Sequence, residues 1–92
     1  RKQQQADNYL PHEPLRVHII VYSLDGKQII DIIKSIRVGE TDELRCLRPT
    51  LEMMRRGEEM EIIAPWYAAF GAQGTDEVEP YQNVMLTIDT QN

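Results

Sequence analysis

Residues 43–74 read ELRCLRPTLEMMRRGEEMEIIAPWYAAFGAQG. The period of the apolar residues changes twice within this stretch. Leu44, Leu47, Leu51 and Met54 stand at i, i+3, i+7 and i+10, which places them on one face of a helix over residues 43–56. Thr41 or Asp42 can cap its start. Gly57 stands where a left-handed C-terminal residue is wanted, after Arg55 and Arg56 at the negative end of the helix dipole. Pro49 fits best in a first turn, so the regular helix is expected to begin near Arg48. From residue 58 the period drops to two. Met60, Ile62 and Ala64 alternate with Glu59, Glu61 and Ile63, as in a half-buried antiparallel strand.

Upstream, residues 15–24 (LRVHIIVYSL) are rich in Val, Ile and Tyr and read as a strand, with Leu15, Val17, Ile19 and Val21 on one face. Asp25-Gly26 marks a hairpin turn. Residues 27–33 (KQIIDII) return, either as a full strand or as one that breaks near Asp31, and Ile36 and Val38 continue in extended form. Residues 9–14 (YLPHEP), with Pro11 and Pro14, read as a linker, and residues 1–8 as a frayed terminus or the end of an upstream helix. Downstream, residues 65–82 form a long loop with Trp66, Tyr67 and Phe70, and residues 83–90 (NVMLTIDT) a last strand. Loops of this length inside a small domain are usually functional or mobile. Strands with a single helix define an α+β domain, a helix packed across an antiparallel sheet, with one natural concave site between them.

Composition narrows the function. The chain has 92 residues, 41% apolar and 27% charged, with a net charge of −5. One domain is expected, a tail at 1–14 and a folded part at 15–92, burying roughly 60–65% of its unfolded surface. The acidic balance argues against nucleic acid and anionic lipid as partners. The longest apolar run, residues 19–22, cannot span a bilayer. The single Cys46 allows no internal disulfide and no cysteine-based zinc site. No secretory leader is read, and because the chain opens at Arg1 it is taken as a piece or a processed form.

Reactive groups are sparse. His12 and His18 lack converging co-ligands and read as surface residues; Cys46 has no sequence-placed base and reads as an inert thiol. No phosphate loop occurs around Gly71 and Gly74, and Glu58, Glu59 and Glu61 read as a solvated face. No metal and no cofactor are expected. One reaction needs none of these. Rotation about an X-Pro bond breaks no covalent bond, and its barrier of about 18–20 kcal/mol comes from amide resonance. An apolar pocket that desolvates the amide and grips its twisted form needs hydrophobic walls and one or two hydrogen bonds.

An ordered set of motifs resembles the FKBP-type peptidyl-prolyl cis-trans isomerases: Val17-His18-Ile19, Leu24-Asp25-Gly26-Lys27, Leu51-x-x-Met54-x-x-Gly57-Glu58, Ile63-Ala64-Pro65-x-Tyr67, Ala69-Phe70-Gly71, then Pro80 and the strand from Val84. The set spans about residues 15–90 and is most similar in flavour to gliding-motility-associated FKBP envelope lipoproteins, which implies a cell-envelope or periplasmic location. The resemblance implies a curved antiparallel sheet wrapped around one short helix. It also implies a pocket of Ile19, Ile29, Ile30, Ile36, Leu44, Leu47, Tyr67, Phe70 and Leu86. Leu47 would be the floor, the Leu44 N–H the donor to a ligand carbonyl, and Phe70 a wall that keeps the ring of the family tyrosine without its hydroxyl. Ile19, Ile29 and Leu86 stand where the family has aromatic rings, and Ile30 where it has an aspartate, with Asp31 one residue late. Glu43 replaces one of an aliphatic pair, and the connection from Asp31 to Ile36 is shorter. The implied activity is weak isomerisation or folding assistance on proline-containing polypeptides, by a monomer. The alternative is a non-catalytic interaction or structural module, with the loop around Trp66 meeting a protein partner. An open apolar cavity over Leu47 would favour the first; one filled by Trp66, Lys34 or the N-terminal segment would favour the second.

Overall fold

The computed structural model describes residues 8–91; residues 1–7, and with them the expected frayed terminus, lie outside the described residues. Strand β1 spans Pro14–Ser23, β2 Gln28–Arg37, helix α1 Leu47–Met53, β3 Met60–Ala64 and β4 Val84–Thr90, with a 3-10 turn at Trp66–Ala68. The sheet order is β2-β1-β4-β3, and every neighbouring pair is antiparallel.

Alternation along β1 decides which way the sheet faces. Leu15, Val17, Ile19 and Val21 are at most 2% exposed and point into the core, where Val84, Leu86 and Ile88 of β4 join them. The Gly26 N–H donates to the Ser23 carbonyl at 2.9 Å and the Ser23 N–H to the Lys27 carbonyl at 2.8 Å. Gly26 has φ +93°, the left-handed residue that a three-residue hairpin with a bulge requires. The register shifts by one between Val21 and Tyr22. β2 then runs unbroken through Asp31, which pairs with Ile20, so the alternative of a break there is not realised.

Leu44, Leu47, Leu51 and Met54 are all buried, as the helical period predicts. The helix itself is shorter than the expected 43–56. Pro49 lies in its first turn, where its missing N–H is not needed. Ahead of it, backbone donors are spent on the aromatic loop: the Arg45 N–H goes to the Ala69 carbonyl at 3.0 Å and the Cys46 N–H to the Ala68 carbonyl at 2.8 Å. Neither Thr41 nor Asp42 caps α1, whose N-cap position is Cys46. At the other end Met54 is extended. The Asn8 side-chain amide donates to the Met53 and Met54 carbonyls at 3.3 and 3.1 Å. Gly57, with φ +81°, therefore serves the turn from Arg55 to Glu58 and does not end the helix.

The stretch read as a linker, from residue 9, lies against this frame. Tyr9 is buried, and its hydroxyl shares a hydrogen bond of 2.6 Å with Thr90 Oγ1. The His12 N–H and the Glu13 carbonyl pair with Val38 at 2.9 and 3.0 Å. Glu13 holds Arg56 through two contacts of 2.7 Å, and the Arg56 guanidinium lies 5.1 Å from the centre of the Tyr9 ring.

Candidate functional site

The concave face carries one small apolar cleft between β1, β2 and the approach to α1. Ile19 and Val21 come from β1, Ile30, Ile32 and Lys34 from β2, Asp42, Glu43 and Leu44 from the segment ahead of α1, and Phe70 from the long loop. Register accounts for the strand members: Ile19 pairs with Ile32 and Val21 with Ile30, so all four side chains point to one side. Ile19 and Leu44 form its deep part, whereas Ile32, 42% exposed, stands at the rim. The cleft holds about 30 Å³. That is about the volume of one liquid water, less than a prolyl ring occupies.

A buried-facing ion pair accounts for the narrow mouth. Lys34 Nζ donates to Asp42 Oδ1 at 2.7 Å, and Asp42 Oδ2 accepts the Leu44 N–H at 3.0 Å. The Lys34 and Asp42 side chains are 29% and 12% exposed. Both carboxylate oxygens are thus engaged, and the Leu44 backbone donor is already satisfied from within the chain.

Of the residues singled out in the sequence, Ile19, Ile30, Leu44 and Phe70 meet at this cleft. The other five do not line it. Leu47 lies fully buried in the core and shows no surface to the cleft. Ile29 is half-buried against the core. Ile36 lines a separate depression with Arg16, Ser35 and Glu40. Tyr67 is 61% exposed, and Leu86 is a core residue of β4. Val21, Ile32 and Asp42 were missed as lining residues. The alternation that places Ile30 inward places Ile32 there too, so period-two reading through Asp31 carries the signal for Ile32. Asp42 has none, because its role depends on Lys34 arriving from another strand.

The aromatic loop is organised apart from the cleft. Trp66 meets the rings of Tyr67 and Tyr81 edge-on, with centroids 5.6 and 4.9 Å away, and its backbone N–H donates to Asn83 Oδ1 at 2.8 Å. Trp66 therefore does not fill the cleft. Further on, Val78 is buried and anchors the loop: Thr75 Oγ1 accepts its N–H at 3.0 Å, and its carbonyl accepts the Thr75 N–H at 2.8 Å. No pattern in the sequence marks Val78, a lone apolar residue among acids.

The reactive groups stay unassembled. Burial pushes the Cys46 thiol above its ordinary pKa, which holds it neutral. His18 faces the opposite side of the sheet, 2.6 Å from Asp31 and 3.8 Å from Asp89. Among the described residues, no group of three or more His, Cys, Asp or Glu side chains is placed to hold a metal ion. No helix among them is long and apolar enough to cross a membrane.

A four-stranded antiparallel sheet with one short helix across its concave face is the fold of the FKBP-type peptidyl-prolyl cis-trans isomerases, and this chain has it. The chain is similar to the N-terminal domain of FKBP42 from Arabidopsis thaliana, with a TM-score of 0.75 at 17% identity over 91% of this chain and 74% of that one. It is similar also to a peptidyl-prolyl cis-trans isomerase from Pseudomonas syringae pv. tomato strain DC3000, with a TM-score of 0.71 at 19% identity over 90% of this chain. It spans 65% of that second protein's length. No protein-family model and no curated protein sequence matches the chain.

Proposed function

We propose that this is an FKBP-type domain that binds proline-containing segments of polypeptides at the concave cleft and isomerises their X-Pro bonds slowly. The observation that carries the reading is the convergence of Ile19, Ile30, Leu44 and Phe70, from four separate stretches of chain, on one apolar cleft beside the helix approach. Apolar walls strip water from the prolyl amide, which lowers the cost of twisting it out of conjugation. Phe70 offers a ring face to the pyrrolidine. The Leu44 N–H holds the carbonyl on one side of the twisting bond. Asp42 must first release that N–H, and the cleft, smaller than a prolyl ring as it stands, must widen as the Lys34–Asp42 pair parts. A hydrogen bond to a charged group contributes about 1.5–3 kcal/mol, so its loss slows the reaction by roughly 10- to 100-fold.

The second reading, a non-catalytic interaction module of the same fold, is favoured by one observation: Lys34 and Asp42 close the cleft and satisfy its donor. An NMR exchange assay on a proline peptide series, run with and without a macrolide FKBP inhibitor, separates the two. Faster cis–trans exchange that the inhibitor or Phe70→Ala abolishes supports the isomerase. Peptide-induced amide shifts at Leu44 and Phe70 without faster exchange support the module. Neither effect, from folded protein, removes both.

A further inference from the structure

A second depression adjoins the cleft. It is lined by Thr41, Asp42, Arg45, Arg48, Pro49 and Glu52 and holds about 430 Å³. Asp42 lines both hollows, so a polypeptide that leaves the cleft past Asp42 enters this one.

The cations here are not equivalent. Arg48 holds Glu52 at 3.5 Å, and Lys34, on the cleft side, holds Asp42 at 2.7 Å. Arg45 has no carboxylate within ion-pair distance among the described residues, although acids outnumber bases in this chain. The neighbouring acids are committed elsewhere. Asp42 spends its oxygens on Lys34 and the Leu44 N–H, Glu52 faces Arg48, and Glu43 stands on the cleft side. With Asp42 offset by Lys34 and Glu52 by Arg48, the charge of Arg45 is left over.

The Arg45 guanidinium is also seated in advance. A Cβ on Gly71 would stand 2.8 Å from Arg45 Nη2 and 3.0 Å from Cζ, so the guanidinium lies against the Gly71 backbone in space that a side chain would fill. Arg45 Nη1 reaches the Tyr67 carbonyl at 3.5 Å, and the Arg45 backbone N–H donates to the Ala69 carbonyl at 3.0 Å. Gly71 directly follows Phe70, the ring wall of the cleft. A cation held this way has given up freedom before a ligand arrives, which lowers the ordering cost of binding. Its planar fork of donors matches a carboxylate.

We propose that Arg45 selects polypeptides with an acidic residue close to the proline. The inference rests on the reading of the cleft as a prolyl site. With the pyrrolidine ring beside Phe70, a neighbouring glutamate or aspartate lies over the depression past Asp42, and its carboxylate pairs with the Arg45 guanidinium. The apolar cleft then recognises the proline, and Arg45 chooses among proline-containing segments by charge.

The test uses the full chain, labelled with nitrogen-15, and three capped peptides: Ala-Glu-Ala-Pro-Phe-Glu-Ala and its versions with both glutamates replaced by glutamine or by lysine. Affinities are read from amide shifts at Leu44 and Phe70. At low salt the glutamate peptide should bind about fivefold tighter than the glutamine peptide, and the lysine peptide should bind weakest. The glutamate-to-glutamine ratio should fall to about one in Arg45→Gln, and likewise in about 1 M salt, where charges are screened within roughly 3 Å. Arg45→Lys keeps the charge without the fork and should retain part of the ratio. A purely structural loss at Arg45 would weaken all three peptides alike and leave the ratio where it was. Equal affinities for the glutamate and glutamine peptides, or a preference that survives Arg45→Gln, would overturn this inference and leave the prolyl cleft standing. No shift at Leu44 and Phe70 with any of the three would overturn both.

Discussion

Asp42 Oδ2 accepts the backbone N–H of Leu44, two residues on, at 3.0 Å. The side chain thereby satisfies the donor that the proposed function assigns to a peptide carbonyl, and Lys34 holds it there through its other oxygen at 2.7 Å. Asp42→Ala should release the donor and widen the mouth. Proline-peptide affinity and exchange catalysis should rise by roughly tenfold, the equivalent of about 1.4 kcal/mol. Hydrogen exchange of the Leu44 amide should speed up whether or not peptide is present, which checks the contact itself.

Phe70 lines the cleft without a polar atom. Phe70→Tyr adds a hydroxyl donor at little change in volume. If the hydroxyl meets a ligand carbonyl, binding should tighten by about 1 kcal/mol, roughly fivefold. Phe70→Ala should abolish binding and also lower stability, because the ring packs against the core. Peptide titration read beside urea denaturation separates the two effects.

Glu13 joins the N-terminal segment to the turn after α1 through Arg56. The Arg56 guanidinium, with the Leu10 N–H, holds the Glu13 carboxyl below the ordinary value of 4.5. A carboxyl depressed in the folded state stabilises the fold above its unfolded pKa, and this contribution is lost as pH falls through the depressed folded value. The unfolding temperature should therefore drop as pH falls from 4.5 downward, and Arg56→Ala should flatten that part of the profile. Melting curves from pH 7 down to pH 2.5 for both proteins check this.

Gly74 has φ +67°, and a Cβ there would stand 2.3 Å from the Val78 carbonyl oxygen. Backbone is on both sides of that clash, so no side chain can yield. Gly74→Ala should cost more than about 1 kcal/mol and loosen the loop that Val78 anchors. Denaturation should show the loss, and amide exchange at Thr75 and Val78, which bond each other, should show where it falls.

Much of this architecture is legible in residue order, because it rests on local periodicity. The inward face of β1, the burial of Leu44, Leu47, Leu51 and Met54, the Asp25-Gly26 turn and the half-buried β3 all follow from periods of two or 3.6 and from turn chemistry, although only Leu47 and Leu51 lie within the helix itself. Element ends are less legible. Residues 43–46 have a helical pattern, yet the Arg45 and Cys46 N–H groups go to Ala69 and Ala68, more than twenty residues along the chain, and the Leu44 N–H goes to the Asp42 side chain. The end of α1 depends on Asn8 in the same way.

What the order of residues determined by itself is the class of fold, an acidic α+β domain with one helix, and the apolar character of any site it holds. Only the tertiary structure decided which apolar residues face one another. Ile19, Ile30, Leu44 and Phe70 converge on the cleft; Ile36 and Leu86 share the inward face of the sheet by register but lie outside the cleft, and Tyr67 is exposed, because a side chain's neighbours come from elements that are distant in sequence. The state of the cleft was decided there as well. An ion pair between Lys34 on β2 and Asp42 ahead of the helix is a contact through space, and no spacing along the chain encodes it.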